Sequence, residues 1–166
     1  MSTCGRPPRV VSDEPCAPER LSQNVCLRKN EGRGLESHVT TIETAIIGSG
    51  PAGLAAAAFG PPGALVIEAR KSPGWKILIS ANGRCNVTNT FSPPEFLGRI
   101  TRGARQLKFA LGAFPPDAVR SWLAELGCPT VVRGEWEVYP KSNSAQNVLD
   151  ALLSAAGASG AEIFCD

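Results

Sequence analysis

Gly48, Gly50 and Gly53 stand in the run GSGPAG, a G-x-G-x-x-G pattern, and Glu68 follows twenty residues after Gly48. That spacing suits a dinucleotide. The first glycine permits a tight turn, the second lets the backbone approach a pyrophosphate, and the third lets a helix pack closely on a strand. The residues between them, Ser49, Pro51 and Ala52, are small or rigid and open the expected helix. A helix beginning here presents unpaired N–H groups and the positive end of its dipole to phosphate oxygens. Glu68 would accept hydrogen bonds from ribose hydroxyls and repel a 2′-phosphate, which argues against NADP at this position. Glycine triplets also occur in strand–turn–helix units that bind nothing, so the flanking elements must decide.

Those elements are legible. Residues 44–48, TAIIG, read as a short buried strand ending at glycine, and residues 51–59, PAGLAAAAF, as a helix. Proline suits a helix's first turn, and the GPPG that follows stops it. Residues 64–68, ALVIE, read as a second buried strand with Ala69 just beyond. Residues 70–92 are rich in glycine, serine and asparagine and read as extended loop. Helices are expected over 104–114 and 115–127. In the second, Val119, Trp122, Leu123 and Leu126 share a face. PTVVRGEWEVYP reads as two short strands around Arg133 and Gly134. A further helix carries Val148, Leu149, Leu152 and Leu153, and residues 161–165 start another strand. The order implies an α/β fold: a Rossmann-like parallel sheet, incomplete, with a helical excursion and a small β-hairpin.

Composition narrows the class. The chain has 166 residues, 43% hydrophobic and 19% charged, with net charge +2, which suits a soluble globular domain and gives no case for nucleic acid. No apolar run reaches the roughly 18 residues of a membrane span, and the N-terminus, with no apolar stretch after its first basic residues, does not read as a secretory signal. A cytoplasmic location is the expectation. The cysteines at 4, 16, 26, 85, 128 and 165 form no CxxC pair, so no metal is expected. Residues 1–41 are polar, without apolar periodicity, and read as a disordered or non-native leader. The sole histidine, His38, falls there and is given no role.

The stretch PGWKILISANGRCNVTN, residues 73–89, carries Lys76, Gly83, Arg84, Cys85 and Asn86. Its many donors suit phosphate, ribityl or flavin carbonyl groups, and equally suit a polar surface loop. GSGPAGLAAAA, IEAR, the GRCNVTN block and VYPKSNSAQNVLDAL together resemble the bacterial NAD(P)/FAD-dependent oxidoreductases of the BaiN-like, aminoacetone-oxidase-type family. The resemblance covers residues 42–166, and GRCNVTN is its most specific part. It implies that Gly48, Gly50, Pro51, Ala52 and Gly53 hold FAD pyrophosphate and that Glu68 holds the adenosine ribose. It implies that Lys76 and the loop Gly83, Arg84, Cys85 and Asn86 lie along the FAD toward the flavin. Ser49 and Ala69 fall within the same motifs.

Three departures from the family pattern stand out. The helix before Glu68 is short, Ala81 replaces the first glycine of G-x-GRCN, and Glu137 replaces an arginine before VYP. Cys85 has no partner cysteine nearby in sequence and reads as a small residue beside the cofactor. The expected function is an FAD-dependent oxidoreductase acting on a small molecule, with NAD(P)H or the substrate as hydride source. The chain ends on a strand, so an N-terminal fragment lacking the substrate domain is expected. A non-catalytic truncated remnant and an NAD-binding Rossmann unit remain the alternatives. The sequence assigns no catalytic residue and no oligomeric state.

Overall fold

The computed structural model describes residues 42–166. The leader expected over residues 1–41, with His38, lies outside the described residues. The chain divides into two compact units. The first comprises residues 42–73 and 156–166, and the second residues 74–155.

The first unit is built on strand β1 (Ala45–Ile47), helix α1 (Pro51–Phe59) and strand β2 (Leu65–Glu68). The last strand of the chain, Glu162–Cys165, completes a parallel sheet in which β2 is central. β2 pairs Ile46 with Val66 on one side and Ile163 with Val66 on the other. A central parallel strand is covered on both faces and therefore reads as an unbroken apolar run; Leu65 and Val66 are buried accordingly. α1 starts at a proline, as its sequence predicts, and ends against Gly60. It buries Leu54 and Ala57, three residues apart on one face. Full burial of a leucine such as Leu54 stabilises by about 2 kcal/mol. The Ser159 hydroxyl donates to the Ala57 carbonyl oxygen at 2.7 Å, tying the end of the chain to α1. Along its outer edge β1 has no strand partner among the described residues, and Ile47 is 79% exposed there.

The second unit holds an antiparallel sheet. Residues 70–92, read from sequence as extended loop, contain a one-turn helix α2 (Trp75–Leu78) and a two-residue strand β3 (Thr88–Asn89). Both correct the loop expectation. α2 lasts one turn, too short for a 3.6-residue period to show. β3 exists through its pairing rather than its composition. After α3 (Pro93–Gly98), α4 (Ala104–Ala113) and α5 (Pro116–Glu125), the hairpin β4 (Thr130–Arg133) and β5 (Glu137–Pro140) forms as expected. β5 is central, pairing Val138 with both Thr88 and Val132. Its Val138 is fully buried. Helix α6 (Ala145–Ala158) carries the chain onward to β6, the final strand Glu162–Cys165. Its Val148, Leu149 and Leu152 are buried, while Leu153 is half-buried.

Candidate functional site

In the first unit the glycine pattern folds into the turn between β1 and α1. The Gly48 N–H donates to the Ile67 carbonyl oxygen at 2.7 Å, so β2 pins the exit of β1. Gly48 takes φ +93°, a conformation side-chain-bearing residues rarely adopt. The third glycine is required by contact: a Cβ on Gly53 would lie 1.9 Å from the Gly48 carbonyl oxygen. That is the close helix–strand approach expected of it.

Gly50 is different. Its backbone is extended, φ −70° and ψ −179°, which any residue adopts. Among the described residues, no atom beyond Gly50 and its two chain neighbours lies within 4 Å of the place a Cβ would take. Neither backbone conformation nor a neighbouring side chain demands glycine here. The main chain at Gly50 is thus left open to close approach from the solvent side of the turn. The first turn of α1 opens beside it, with N–H groups that have no carbonyl partner inside the helix. Pro51 occupies the position whose N–H would be idle, and Ala52 adds only a methyl group. This cradle fits a diphosphate.

Glu68 ends β2 and reaches back to the turn. Its Oε2 accepts the Ser49 backbone N–H at 2.9 Å and also the Ser49 hydroxyl. Its Oε1 accepts the Arg70 N–H at 3.1 Å. Ser49 is fully buried, whereas Glu68 is half-exposed and Ala69 exposed. The Ser49 hydroxyl, more than any other contact, holds the Glu68 carboxyl below its ordinary range. The Ser49 N–H adds to this, partial desolvation opposes it, and the Arg70 N–H and charge contribute last. Glu68 is therefore an anion at neutral pH. An ionised carboxylate only accepts hydrogen bonds, which suits hydroxyl donors and opposes a phosphate.

The remaining sequence-derived candidates lie in the second unit. Lys76 is on α2 and exposed. Residues 80–86 form a tight loop. The Gly83 and Cys85 N–H groups both donate to the Ser80 carbonyl oxygen, at 3.1 and 3.0 Å. The Gly83 carbonyl oxygen in turn accepts the Ala145 N–H at 2.7 Å, anchoring the loop to the start of α6. Arg84 is exposed and returns its Nε to the Ala81 carbonyl oxygen at 3.0 Å, with its guanidinium 5.3 Å from the centre of the Tyr139 ring. Asn86 is exposed, whereas Cys85 is buried. Burial above all, and then nearby Cys128, push the Cys85 thiol up, against a weaker hydrogen bond with Ser80. A protonated, buried thiol is a poor nucleophile, in keeping with a small packing residue.

The structure thus gathers Gly48, Ser49, Gly50, Pro51, Ala52, Gly53, Glu68 and Ala69 in one unit, and Lys76, Gly83, Arg84, Cys85 and Asn86 in the other. Sequence reasoning missed the Ser49–Glu68 link. Its only signal was a hydroxyl residue inside the glycine pattern with an acid at the next strand's end. It also missed the left-handed backbone of the second loop, where Ala81, Asn82 and Cys85 have φ of 49°, 55° and 59°.

The model of the HI0933-like protein Rossmann domain matches residues 42–166, the whole described region. The chain belongs to this family. Among curated proteins, this HI0933-like chain is similar to the 3-dehydro-bile acid delta(4,6)-reductase of Clostridium scindens. The two are 34% identical over 113 residues, covering 64% of this chain and 27% of the reductase. The chain therefore spans about a quarter of that relative's length. Among solved structures it is similar to the crystal structure of Thermovibrio ammonificans THI4, with TM-score 0.45 and 19% identity over 75% of this chain and 38% of that one. The oxidoreductase-family resemblance read from the motifs agrees with the family match. No helix among the described residues is long and apolar enough to cross a membrane. No cluster of potential metal ligands occurs among them.

Proposed function

We propose that this HI0933-like chain supplies the FAD-binding start of a flavin-dependent oxidoreductase. The observation that carries the reading is the open space before Gly50, beside the helix start, with the ionised Glu68 at the end of β2 bonded to the same turn through Ser49. Gly48, Gly50, Pro51, Ala52 and Gly53 would hold the pyrophosphate. Glu68, with Ser49 and Ala69 around it, would take the adenosine ribose. Family resemblance supports Lys76, Gly83, Arg84, Cys85 and Asn86 as contacts toward the flavin. When bound, the flavin supplies hydride chemistry, and the protein supplies binding and orientation. NAD(P)H as electron donor, a small-molecule substrate and a cytoplasmic setting complete the proposal. The reductase relative supports the redox class.

The test is the flavin spectrum of the purified chain together with titration of added FAD. A yellow protein, or FAD fluorescence quenched on binding, is expected. Gly50→Val should abolish retention, because its side chain would occupy the phosphate's place while leaving the protein contacts intact. Equal flavin content in that variant would overturn the assignment. Binding of a nicotinamide dinucleotide in preference to FAD would favour the simpler NAD-binding unit.

A further inference from the structure

Glu68 would be a loose selector if its carboxylate were free to turn. It is half-exposed at a strand end, and a carboxylate in water samples several rotamers. Here it does not turn freely, because Ser49 grips one oxygen with two donors, a backbone N–H at 2.9 Å and a hydroxyl. Ser49 is itself fully buried, the buried polar residue among the described residues of the first unit. A hydroxyl is costly to bury without a partner, and no buried side-chain polar atom among the described residues lacks one. Both oxygens of the carboxylate are therefore distinguishable. Oε2 is committed inward to the turn. Among the described residues, Oε1 holds only the Arg70 N–H, at 3.1 Å. A carboxylate offers about four acceptor positions, three are taken, and the remaining one is on Oε1.

We infer that Ser49 is the positioning residue of the ribose selector: it commits Glu68 Oε2 to the turn and so presents Oε1 to a ribose hydroxyl of the bound nucleotide. This rests on the dinucleotide reading and deepens it. Recognition of the ribose then depends on a residue that contributes through Glu68 rather than through its own contact with the sugar. It also explains why a buried hydroxyl stands where alanine would satisfy the glycine turn. The ligand class is an adenine nucleotide diphosphate with an unsubstituted ribose diol.

The experiment uses the full chain and the probes ADP, 2′-deoxy-ADP and 3′-deoxy-ADP, with Ser49→Ala, Glu68→Gln and the double variant. Serine to alanine leaves the turn's volume almost unchanged, so folding should survive. The parent chain should prefer ADP over one of the deoxy analogues by about tenfold, the order expected of a hydrogen bond to a charged group. Ser49→Ala should reduce that preference several-fold and should have no further effect in the Glu68→Gln background, because coupled residues are not additive. A preference unchanged in Ser49→Ala, or reduced equally in both backgrounds, overturns the positioning role. Carbon-13 titration of the Glu68 carboxyl provides a readout that needs no ligand. Its midpoint should rise in Ser49→Ala, since the hydroxyl that favours the charged form is gone. If the parent binds neither ADP nor FAD, the flavoprotein reading fails and the ribose role with it. The carboxyl titration then decides the Ser49–Glu68 clasp alone, and an unmoved midpoint overturns that too.

Discussion

The turn of the first unit, residues 48–53, and the loop of the second, residues 80–86, both use left-handed backbone, but they fill it with different residues. In the turn the left-handed position is Gly48, at φ +93°. In the loop it falls on Ala81, Asn82 and Cys85 as well as on Gly83. Asparagine enters that region at little cost because its side chain bonds locally, whereas alanine and cysteine meet their own carbonyl oxygens. The turn is thus relaxed and short of space, and the loop is strained and held by its surroundings. Hydrogen bonds to Ser80 and from Ala145 hold it. Residues kept in sparse regions of backbone space tend to mark ligand-binding segments. Strain at these residues is in keeping with the flavin-side role proposed for this segment. It also gives the departure from the family pattern at this position a cost: the place usually given to glycine is left-handed here, and this chain places Ala81 in it.

Four substitutions or conditions would break or sharpen the contrast. The largest effect is expected at the crowded turn. Gly53→Ala places a methyl group against the Gly48 carbonyl oxygen, 1.9 Å away before relaxation. It should cost about 3 kcal/mol or more, the upper range for overpacking, read by urea denaturation. Next is Gly48→Ala, where no atom obstructs the methyl group and only φ +93° opposes it. A loss of about 1–2 kcal/mol is expected. If the two substitutions cost the same, the distinction between crowding and conformation at the turn fails. In the loop the sign reverses: Ala81→Gly should stabilise by about 0.5–1 kcal/mol, the left-handed cost relieved less the added chain entropy. A destabilised Ala81→Gly would show that the loop is not strained at that residue.

The smallest effect is acid sensitivity. The Glu68 carboxyl is lowered from an unfolded value of 4.5, chiefly by the Ser49 hydroxyl. A depressed folded value means the unfolded chain binds the proton first as pH falls. The stabilisation is therefore complete above the unfolded value and is lost as pH falls through the folded one. The stability difference between the parent and Glu68→Gln should shrink between pH 6 and pH 3, read by thermal melts across roughly that range. The carboxylate is half-exposed, so screening keeps the contribution small. A gap independent of pH would remove Ser49 as the source of the shift.

Much of the first unit could be read in advance, for a physical reason. The bounds of α1 follow from Pro51 at its start and the GPPG after it, both local chemistry. β1 and β2 are short apolar runs that pair in parallel as their pattern suggests, but only β2 is buried as expected; in β1, at the sheet border, Ala45 and Ile47 are exposed. The second unit was legible where periodicity is long, as in α5 and α6. It was opaque where structure is short or depends on a partner. Strand β3 is two residues defined by pairing with β5. Helix α3 was not anticipated, although Ser92 and Glu95 carry the spacing of a capping box and the Glu95 carboxylate does accept the Ser92 N–H at 2.8 Å. At the site the glycines and Glu68 were readable because their spacing encodes the turn. The Ser49–Glu68 clasp was not, since a hydrogen bond across nineteen residues leaves no period.

The outer edge of β1 sets a practical condition for every measurement proposed above. Among the described residues β1 has no strand partner on its outer side, and Ile47 is exposed at this border of an apolar parallel sheet. Such a border recruits other strands, its own copies included. Spectra and titrations of this chain therefore belong at low concentration, checked by light scattering. A single lysine in place of Ile47 is the gatekeeper that would keep the flavin readout separate from self-association.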